Sequence, residues 1–576
     1  MDLSRRKLIQ SGVVIGGAMA LTDLALSPAA WAVGGQTAPP VTTLSGTLVR
    51  GTPDSKGYAP VVEASPEPHI VRTDLGVPAS TTPASGRQPI TAFAHLTDVH
   101  LVDAQSPMRL EYVDRLEDKY DENLLNLTPN LLQSSYRAHE MLTLQTADAM
   151  VQAVNKAKYG PVSGAPLAFA IQTGDNADNC QLNEFRWNID ILDGKTVTPN
   201  SGSPTKYEGV ADNVDYDTHY WHPDSPPAGK APDTYKTRYG FPQVTGLLNA
   251  ARAPFQAEGI KMPWYSVFGN HDGLVQGNFP TTLPLGVIAT GPLKLSALPP
   301  GVSQTDLLTA ITSGNAALLT GALGLASARL VTADGKRKIL TRKQVVAEHF
   351  NTPASPGPVG HGFTEENKTK GTAYYTFDKG SFRGVVLDTV NPNGYSEGSI
   401  DAKQLAWLKT TLAASTNKYV VVFSHHTSKT MKNGLVLAGL DLQDRAFGDE
   451  VVAVLLANPN VIAWVNGHTH RNEVWAHKAA TGGTGFWEIN TASHIDFPQQ
   501  SRLIELVDNQ DGSLSIFTTM LDHAGTVGDP GPLTSTAALA GLARELAAND
   551  PQRNPNATGK LEDRNVELLA KKPALV

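Results

Sequence analysis

The stretch Ile90-Thr91-Ala92-Phe93-Ala94-His95-Leu96-Thr97-Asp98-Val99-His100 is where the reading starts. Its apolar run, Ile90 to Leu96, predicts a strand, and an Asp-x-His pair stands just beyond the end. The same construction returns four times downstream. A run from Leu167 to Ile171 leads into Gly174-Asp175-Asn176-Ala177-Asp178, and Trp264 to Phe268 leads into Gly269-Asn270-His271-Asp272. Tyr419 to Phe423 leads into Ser424-His425, and Val461 to Val465 into Gly467-His468-Thr469-His470. Gly384 to Leu387 is a further strand candidate. Between these runs lie helical patterns: one face carrying Met141, Leu144, Ala147, Val151 and Val154, then Asp401 to Leu412 and Asp449 to Leu456. Strands alternating with helices predict a layered α/β core.

Outward from this rhythm the chain changes character. Leu503 to Val507, the turn Asn509-Gln510-Asp511-Gly512 and Leu514 to Thr519 predict a β-hairpin that closes the sheet system. Residues 33–89 hold many prolines, serines and threonines without sustained periodicity and predict an extended strap able to add an edge strand. Two stretches, about 181–261 and 273–370, break the rhythm and are expected to be insertions over a core face with helices of their own. The C-terminal extension, 521–576, shows one helical pattern, Ala537 to Ala548, and then a polar end. Residues 1–32 read as an export signal: a charged start, an apolar run from Val13 to Leu21 and the small-x-small site Ala30-Trp31-Ala32. Within it Ser4-Arg5-Arg6-Lys7-Leu8-Ile9 matches the twin-arginine pattern, so the expected partner is the twin-arginine export machinery. The expected destination is the cell envelope, a periplasm-equivalent space or the exterior.

Composition narrows the function classes. The chain has 576 residues, 41% of them hydrophobic and 18% charged, which excludes disorder throughout. A net charge of −8 provides no global basic field, so no nucleic-acid partner is expected. Gly 51 and Pro 39 point to many turns and long loops. A single cysteine, Cys180, excludes an intrachain disulfide and a cysteine-based zinc cluster. The Leu/Ala-rich stretch from Asn315 to Leu330 is too interrupted to span a bilayer and reads as a buried helix, so no stable membrane anchor is expected.

Each block that follows a strand is weak alone, because a Gly-Asp step is often a plain turn and a histidine after a strand often merely structural. Together and in this order they resemble the calcineurin-like metallophosphoesterase superfamily, which includes purple acid phosphatases and cyclic-nucleotide phosphodiesterases. The pattern Asp-x-His, Gly-Asp-x-x, Gly-Asn-His-Asp/Glu, a strand ending in His, and Gly-His-x-His is complete between Ile90 and Met520. The overall layout also resembles exported actinobacterial members. The resemblance implies a four-layer α/β/β/α sandwich for residues 90–520. It also implies two metal ions. Asp98, His100, Asp175 and His470 would hold the first and Asp175, Asn270, His425 and His468 the second, with Asp175 shared. Mixed imidazole and carboxylate donors suit Mn, Fe, Zn or Co.

The reaction so implied is in-line attack of a metal-bound hydroxide on phosphorus. His271 would give a proton to the leaving alkoxide, and Asp272 would orient that imidazole or serve as a helix cap. Asp178 falls where purple acid phosphatases carry an iron-ligating tyrosine, which tilts the reading toward a phosphodiesterase. The alternatives are a phosphomonoesterase, or a non-catalytic surface protein that binds metal and phosphate. Arg109, His426, His494 and Arg502 are candidates for contacts to a small phosphate-ester substrate. Each also has a structural reading, as a surface ion pair, a support for neighbouring residues or part of the site's rim. The segment Asp215 to His222, dense in aromatic and polar groups, would either cap the site or pack on its own aromatics. Substrate identity, metal identity and oligomeric state are not written in the sequence.

Overall fold

A computed structural model describes residues 41–116, 135–297, a few positions between 305 and 315, and 328–437, 441–479, 485–528 and 531–576. The expected export signal at 1–32 and most of the Asn315 to Leu330 stretch lie outside the described residues. Thirteen strands form two mixed sheets. In chain order they are β1 (Ile70–Arg72), β2 (Gln88–Leu96), β3 (Leu167–Gln172), β4 (Trp264–Ser266), β5 (Tyr375–Lys379), β6 (Phe382–Val386), β7 (Tyr419–Phe423), β8 (Val461–Asn466), β9 (Glu473–His477), β10 (Phe486–Asn490), β11 (Gln500–Asp508), β12 (Ser513–Asp522) and β13 (Val566–Lys571). The first sheet has the order β1-β13-β12-β11-β2-β3-β4 and the second β5-β6-β7-β8-β10-β9. Strands β2, β3 and β4 run parallel to one another, as do β6, β7, β8 and β10. The α/β class expected from the alternation is what the chain adopts.

Side-chain alternation along the strands explains how the sheets are covered. From β2, Phe93 points at the second sheet: its ring stacks on Phe169 at 4.7 Å and lies 6.0 Å from Phe382 and 5.7 Å from Phe423. Its neighbours Ala92, Ala94 and Leu96 point the other way, into a cluster with Leu144, Met150, Val151 and Val154 of α1 (Thr143–Ala157) and Ile189 and Leu192 of α2 (Leu182–Asp193). The second sheet behaves likewise. Val420 and Val422 of β7 share a cluster with Leu405, Leu408 and Leu412 of α3 (Ala402–Ala413) and Val451 and Leu455 of α4 (Gly448–Leu456). Val421 and Phe423 join the cluster that holds Phe93.

Two segments, the end of the chain and the second insertion, depart from the sequence reading. The end of the chain is not simply polar: β13 is buried between β12 and β1, and its residues Val566, Leu568 and Ala570 enter the cluster between the sheets. The alternation Val566, Leu568, Ala570 is the signal for it, too short to stand out beside the polar residues before it. The strap reaches the same sheet edge through β1. The second insertion, besides covering a face, sends Leu274, Val275, Phe279 and Leu285 into that cluster. In the first insertion the aromatic segment packs on itself and on the C-terminal helix α5 (Thr536–Ala548): Tyr220, Trp221, Tyr235 and Phe241 share a cluster with Leu539, Leu542 and Leu546. Among the described residues no helix is long and apolar enough to cross a membrane.

Candidate metal centre

The loops after β2 and β3 stay paired beyond the strands. The amides of Asp98, His100 and Leu101 donate to the carbonyls of Gly174, Asp175 and Asn176 at 3.1, 2.9 and 3.1 Å. That pairing sets Asp98 and His100 beside Asp175. From β4 the helical turn Asn270–Gly273 follows at once, and the His271 amide donates to Asp175 Oδ1 at 2.8 Å. On the second sheet the Gly467 amide donates to the His425 carbonyl at 3.0 Å, which joins the loops after β7 and β8. The two sheets are tied at the centre by Asp98, whose carboxylate accepts from the His468 amide at 2.9 and 3.1 Å.

This convergence holds the backbone in an unusual state. Asp98, His100, Asp175, His468 and His470 all have left-handed φ values, between 47° and 72°. Non-glycine residues there cost about 1–3 kcal/mol each and persist where surrounding contacts over-determine them, typically at functional sites. The motif glycines have an equally concrete reason. A Cβ on Gly467 would stand 2.2 Å from Asp98 Oδ2, and one on Gly269 2.2 Å from Asp175 Oδ1.

The side chains converge as the spacing of the blocks predicts. Asp175 Oδ2 lies 3.1 Å from His425 Nε2 and 3.6 Å from His100 Nε2, so one carboxylate faces both halves of the centre. On one side His100 Nε2 is 3.2 Å from His470 Nε2, which is 3.3 Å from Asp98 Oδ1. On the other, His425 Nε2 is 2.9 Å from Asn270 Oδ1 and 3.2 Å from His468 Nδ1. Asp98, His100 and His470, and likewise Asp98, Asp175 and His425, place ligand atoms within 4.8 Å of one another.

The donor set fits divalent cations. Three imidazoles give their Nδ1 atoms to acceptors and turn Nε2 inward: His100 to Asp178 Oδ1 at 3.0 Å, His470 to Asp496 Oδ2 at 2.5 Å and His425 to the Thr173 carbonyl at 2.9 Å. That is the arrangement of metal-binding histidines. The inward Nε2 lone pairs of His100 and His470 face each other at 3.2 Å and need a cation or a proton between them. Charges agree. Burial would lower His425 and His470, yet Asp175 carries the first up to about 9, and Asp496 with Asp98 carries the second up to about 10. Burial would raise Asp98 and Asp175, but the imidazoles of His470 and His425 respectively hold both below the usual carboxylate range. The centre therefore favours positive charge.

Five candidates take the structural of their two readings. Asp272 does not touch the His271 imidazole. Its carboxylate accepts from the amides of Gly269, Asn176 and Ala177 at 2.9, 2.9 and 3.0 Å and locks the loop after β3 to the turn after β4. The His271 ring is oriented instead by the Asp178 carbonyl, 2.6 Å from Nδ1. Arg109 is buried and engages Asp178, the Ser135 carbonyl at 3.0 Å and Glu140 at 2.6 Å, so it is no phosphate clamp. His426 is fully buried with both nitrogens taken, by Thr389 and by the Ser396 carbonyl. Arg502 is buried in β11, its guanidinium shared among Thr491, Thr518, Asn472 and three carbonyls. His494 is also buried, its Nε2 2.7 Å from Ser501 Oγ. All four of these side chains face the interior of the fold. Cys180 is free and buried.

Residues 235–472 match the family model described as calcineurin-like phosphoesterase. That segment, about two fifths of the chain, carries a calcineurin-like phosphoesterase domain. Its activity is phosphoric ester hydrolysis, and the family brings divalent metal ions to it. The matched segment contains Asn270, His271, His425, His468 and His470, while Asp98, His100 and Asp175 precede it and join it in space. No curated protein matches by sequence. Among solved structures, a dimetal phosphatase from Danio rerio is 11% identical, over 76% of this chain and 99% of that one, with a TM-score of 0.31.

Proposed function

We propose that this metallophosphoesterase is an exported phosphodiesterase with two transition-metal ions, held by Asp98, His100, Asp175 and His470 on one side and by Asp175, Asn270, His425 and His468 on the other. The observation that carries the reading is the position of Asp175, one carboxylate within 3.1 and 3.6 Å of imidazoles from both halves. When bound, two such ions activate water and stabilise charge on the phosphoryl oxygens. The chain supplies the rest. Asn270 turns its amide oxygen inward because Nδ2 donates to the Gly277 carbonyl at 3.1 Å. His271 keeps Nδ1 on the Asp178 carbonyl, which leaves Nε2 to hand a proton to the leaving alkoxide of the ester. Burial lowers His271, with the carboxylates of Asp175 and Asp178 offsetting this in part, so Nε2 takes up a proton less readily than a free imidazole and passes it on once it holds one. Left-handed backbone at Asp98, His100, Asp175, His468 and His470 fixes these side chains before substrate arrives.

Preference for a diester rests on the resemblance to cyclic-nucleotide phosphodiesterases and on aspartate rather than tyrosine at 178. Export rests on the twin-arginine pattern at Ser4 to Ile9 and the small-residue site at Ala30 to Ala32. The catalytic unit is taken as residues 90–520, with β1 and β13 completing its first sheet. The test is hydrolysis of an aryl phosphodiester and the matching monoester by the purified protein carrying its metals. Faster cleavage of the diester, lost in His271→Ala, is the expected result. Faster cleavage of the monoester would assign a phosphomonoesterase, and no cleavage of either, with metals bound, a binding protein.

A further inference from the structure

The two imidazoles on the Asp98 side rest on buried ion pairs that no sequence motif announces. His100 Nδ1 donates to Asp178 Oδ1 at 3.0 Å, and the other oxygen of that carboxylate takes the guanidinium of Arg109. His470 Nδ1 donates to Asp496 Oδ2 at 2.5 Å, and Arg137 grips the same carboxylate through Nε at 2.5 Å and Nη2 at 3.0 Å. Glu140 joins the two assemblies: one of its oxygens accepts from Arg109 Nη2 at 2.6 Å and from the Arg137 backbone amide at 3.1 Å. Arg109, Asp178 and Glu140 are almost completely buried, and Asp496 keeps 24% of its side-chain surface. Among the described residues no comparable support stands behind His425, whose Nδ1 meets a backbone carbonyl.

We propose that Asp178 and Asp496, each anchored by an arginine and joined through Glu140, are positioning residues that impose the metal-binding tautomer on His100 and His470. The inference rests on the two-metal reading above. The physical argument is one of donors and acceptors. A carboxylate between a guanidinium and an imidazole can only accept, so Nδ1 must carry the proton and Nε2 must present its lone pair. An amide in that place has one NH2 to put somewhere. The guanidinium offers only donors, so the NH2 turns to the imidazole, Nδ1 becomes the acceptor, and the proton moves to Nε2, where it blocks a metal. Asp178 has a second duty, because its carbonyl orients His271. The aspartate at 178 thus acts by supporting a ligand instead of being one.

The test uses the full chain stripped of metal and titrated with Mn²⁺ against a competing chelator. The variants are Asp178→Asn, Asp496→Asn and Glu140→Gln, with cooperative melting of each metal-free protein as the fold control. Asp178→Asn and Asp496→Asn should each weaken one binding step about 10- to 100-fold, the usual effect of removing a group that orients a metal-binding histidine. Excess Mn²⁺ should restore much of kcat with KM for the aryl diester little changed. Glu140→Gln should have a smaller effect, and in combination with Asp178→Asn less than the product of the two, because both act through Arg109. If Asp178→Asn does not fold, Asp496→Asn decides alone, its partly exposed side chain tolerating the change. Affinities within about twofold of the unmodified protein, with two ions bound, would overturn the inference and leave the two-metal reading intact. Failure of the unmodified protein to bind Mn²⁺ would overturn that reading itself.

Discussion

The two halves of the centre present the same chemistry to a metal and are supported differently. On the Asp98 side, His100 and His470 lean on carboxylates that lean in turn on arginines. On the Asn270 side, His425 leans on the Thr173 carbonyl, Asn270 on the Gly277 carbonyl, and His468 stands with its ring 4.4 Å from that of His426. A carboxylate hydrogen-bonded to an imidazole makes it a stronger base than a peptide carbonyl does, so one half is electrostatically primed and the other is set chiefly by packing. The contrast follows from chain order. The Asp98 side draws on the irregular segment before α1 and on the loop after β10, which supply charges, whereas the Asn270 side is built from strand ends whose free groups are backbone.

Substitutions can break or sharpen this contrast. Asp175→Asn acts on both halves at once and should have the largest effect, loss of most bound metal and a fall in kcat on the order of 10³-fold, comparable to removal of a principal charge-stabilising group. Elemental analysis beside the ester assay checks it, and an effect no greater than that of Asp178→Asn would show the shared carboxylate to be misassigned. His271→Ala should lower kcat by about 10²-fold or more while metal content stays unchanged. A loss of metal in that variant would make His271 a ligand and redraw the Asn270 side.

Arg109→Ala tests the supported half through stability. It leaves Asp178 and Glu140 buried without their cation, a cost of about 3–5 kcal/mol, visible as a lower Tm. A raised KM with unchanged Tm would instead restore Arg109 to substrate binding. Mild acid tests the same packing by titration. Burial lowers His69, His139 and His349 from 6.5 to about 4, 4 and 3. The unfolded chain takes up their protons first, so stability is full above pH 6.5 and is lost progressively as pH falls toward 4, by about 1.4 kcal/mol for each pKa unit traversed. His139 sits on the primed half, its Nε2 2.6 Å from the Ile495 carbonyl next to Asp496. Melting curves between pH 8 and 4.5 should therefore show a falling Tm, and a flat profile would contradict the assignment of these rings as buried and neutral.

How much of this could be read from the chain follows the range of the interactions. Strands β7 and β8 and the residues after them were legible because a buried apolar run and the ligands that follow it are contiguous. The groups behind the ligands were not. Asp496 lies 26 residues beyond His470, and Arg137 and Glu140 stand in a segment with no periodicity before α1, so nothing local links them to His100 or His470. Arg502 and His426 carry two readings in the sequence for a related reason. A charged residue near a motif looks functional in one dimension, and only the fold reveals an arginine held by six interior acceptors. Asp272 carried both readings at the outset, and three backbone amides decide for the structural one.

The central claim is that Asp175 stands between two metal ions. Anomalous scattering from crystals of the purified protein grown with Mn²⁺ tests it directly. The account predicts two peaks about 3.5–4 Å apart, one on each side of the Asp175 carboxylate. A single peak, or a pair that does not include Asp175, would contradict it.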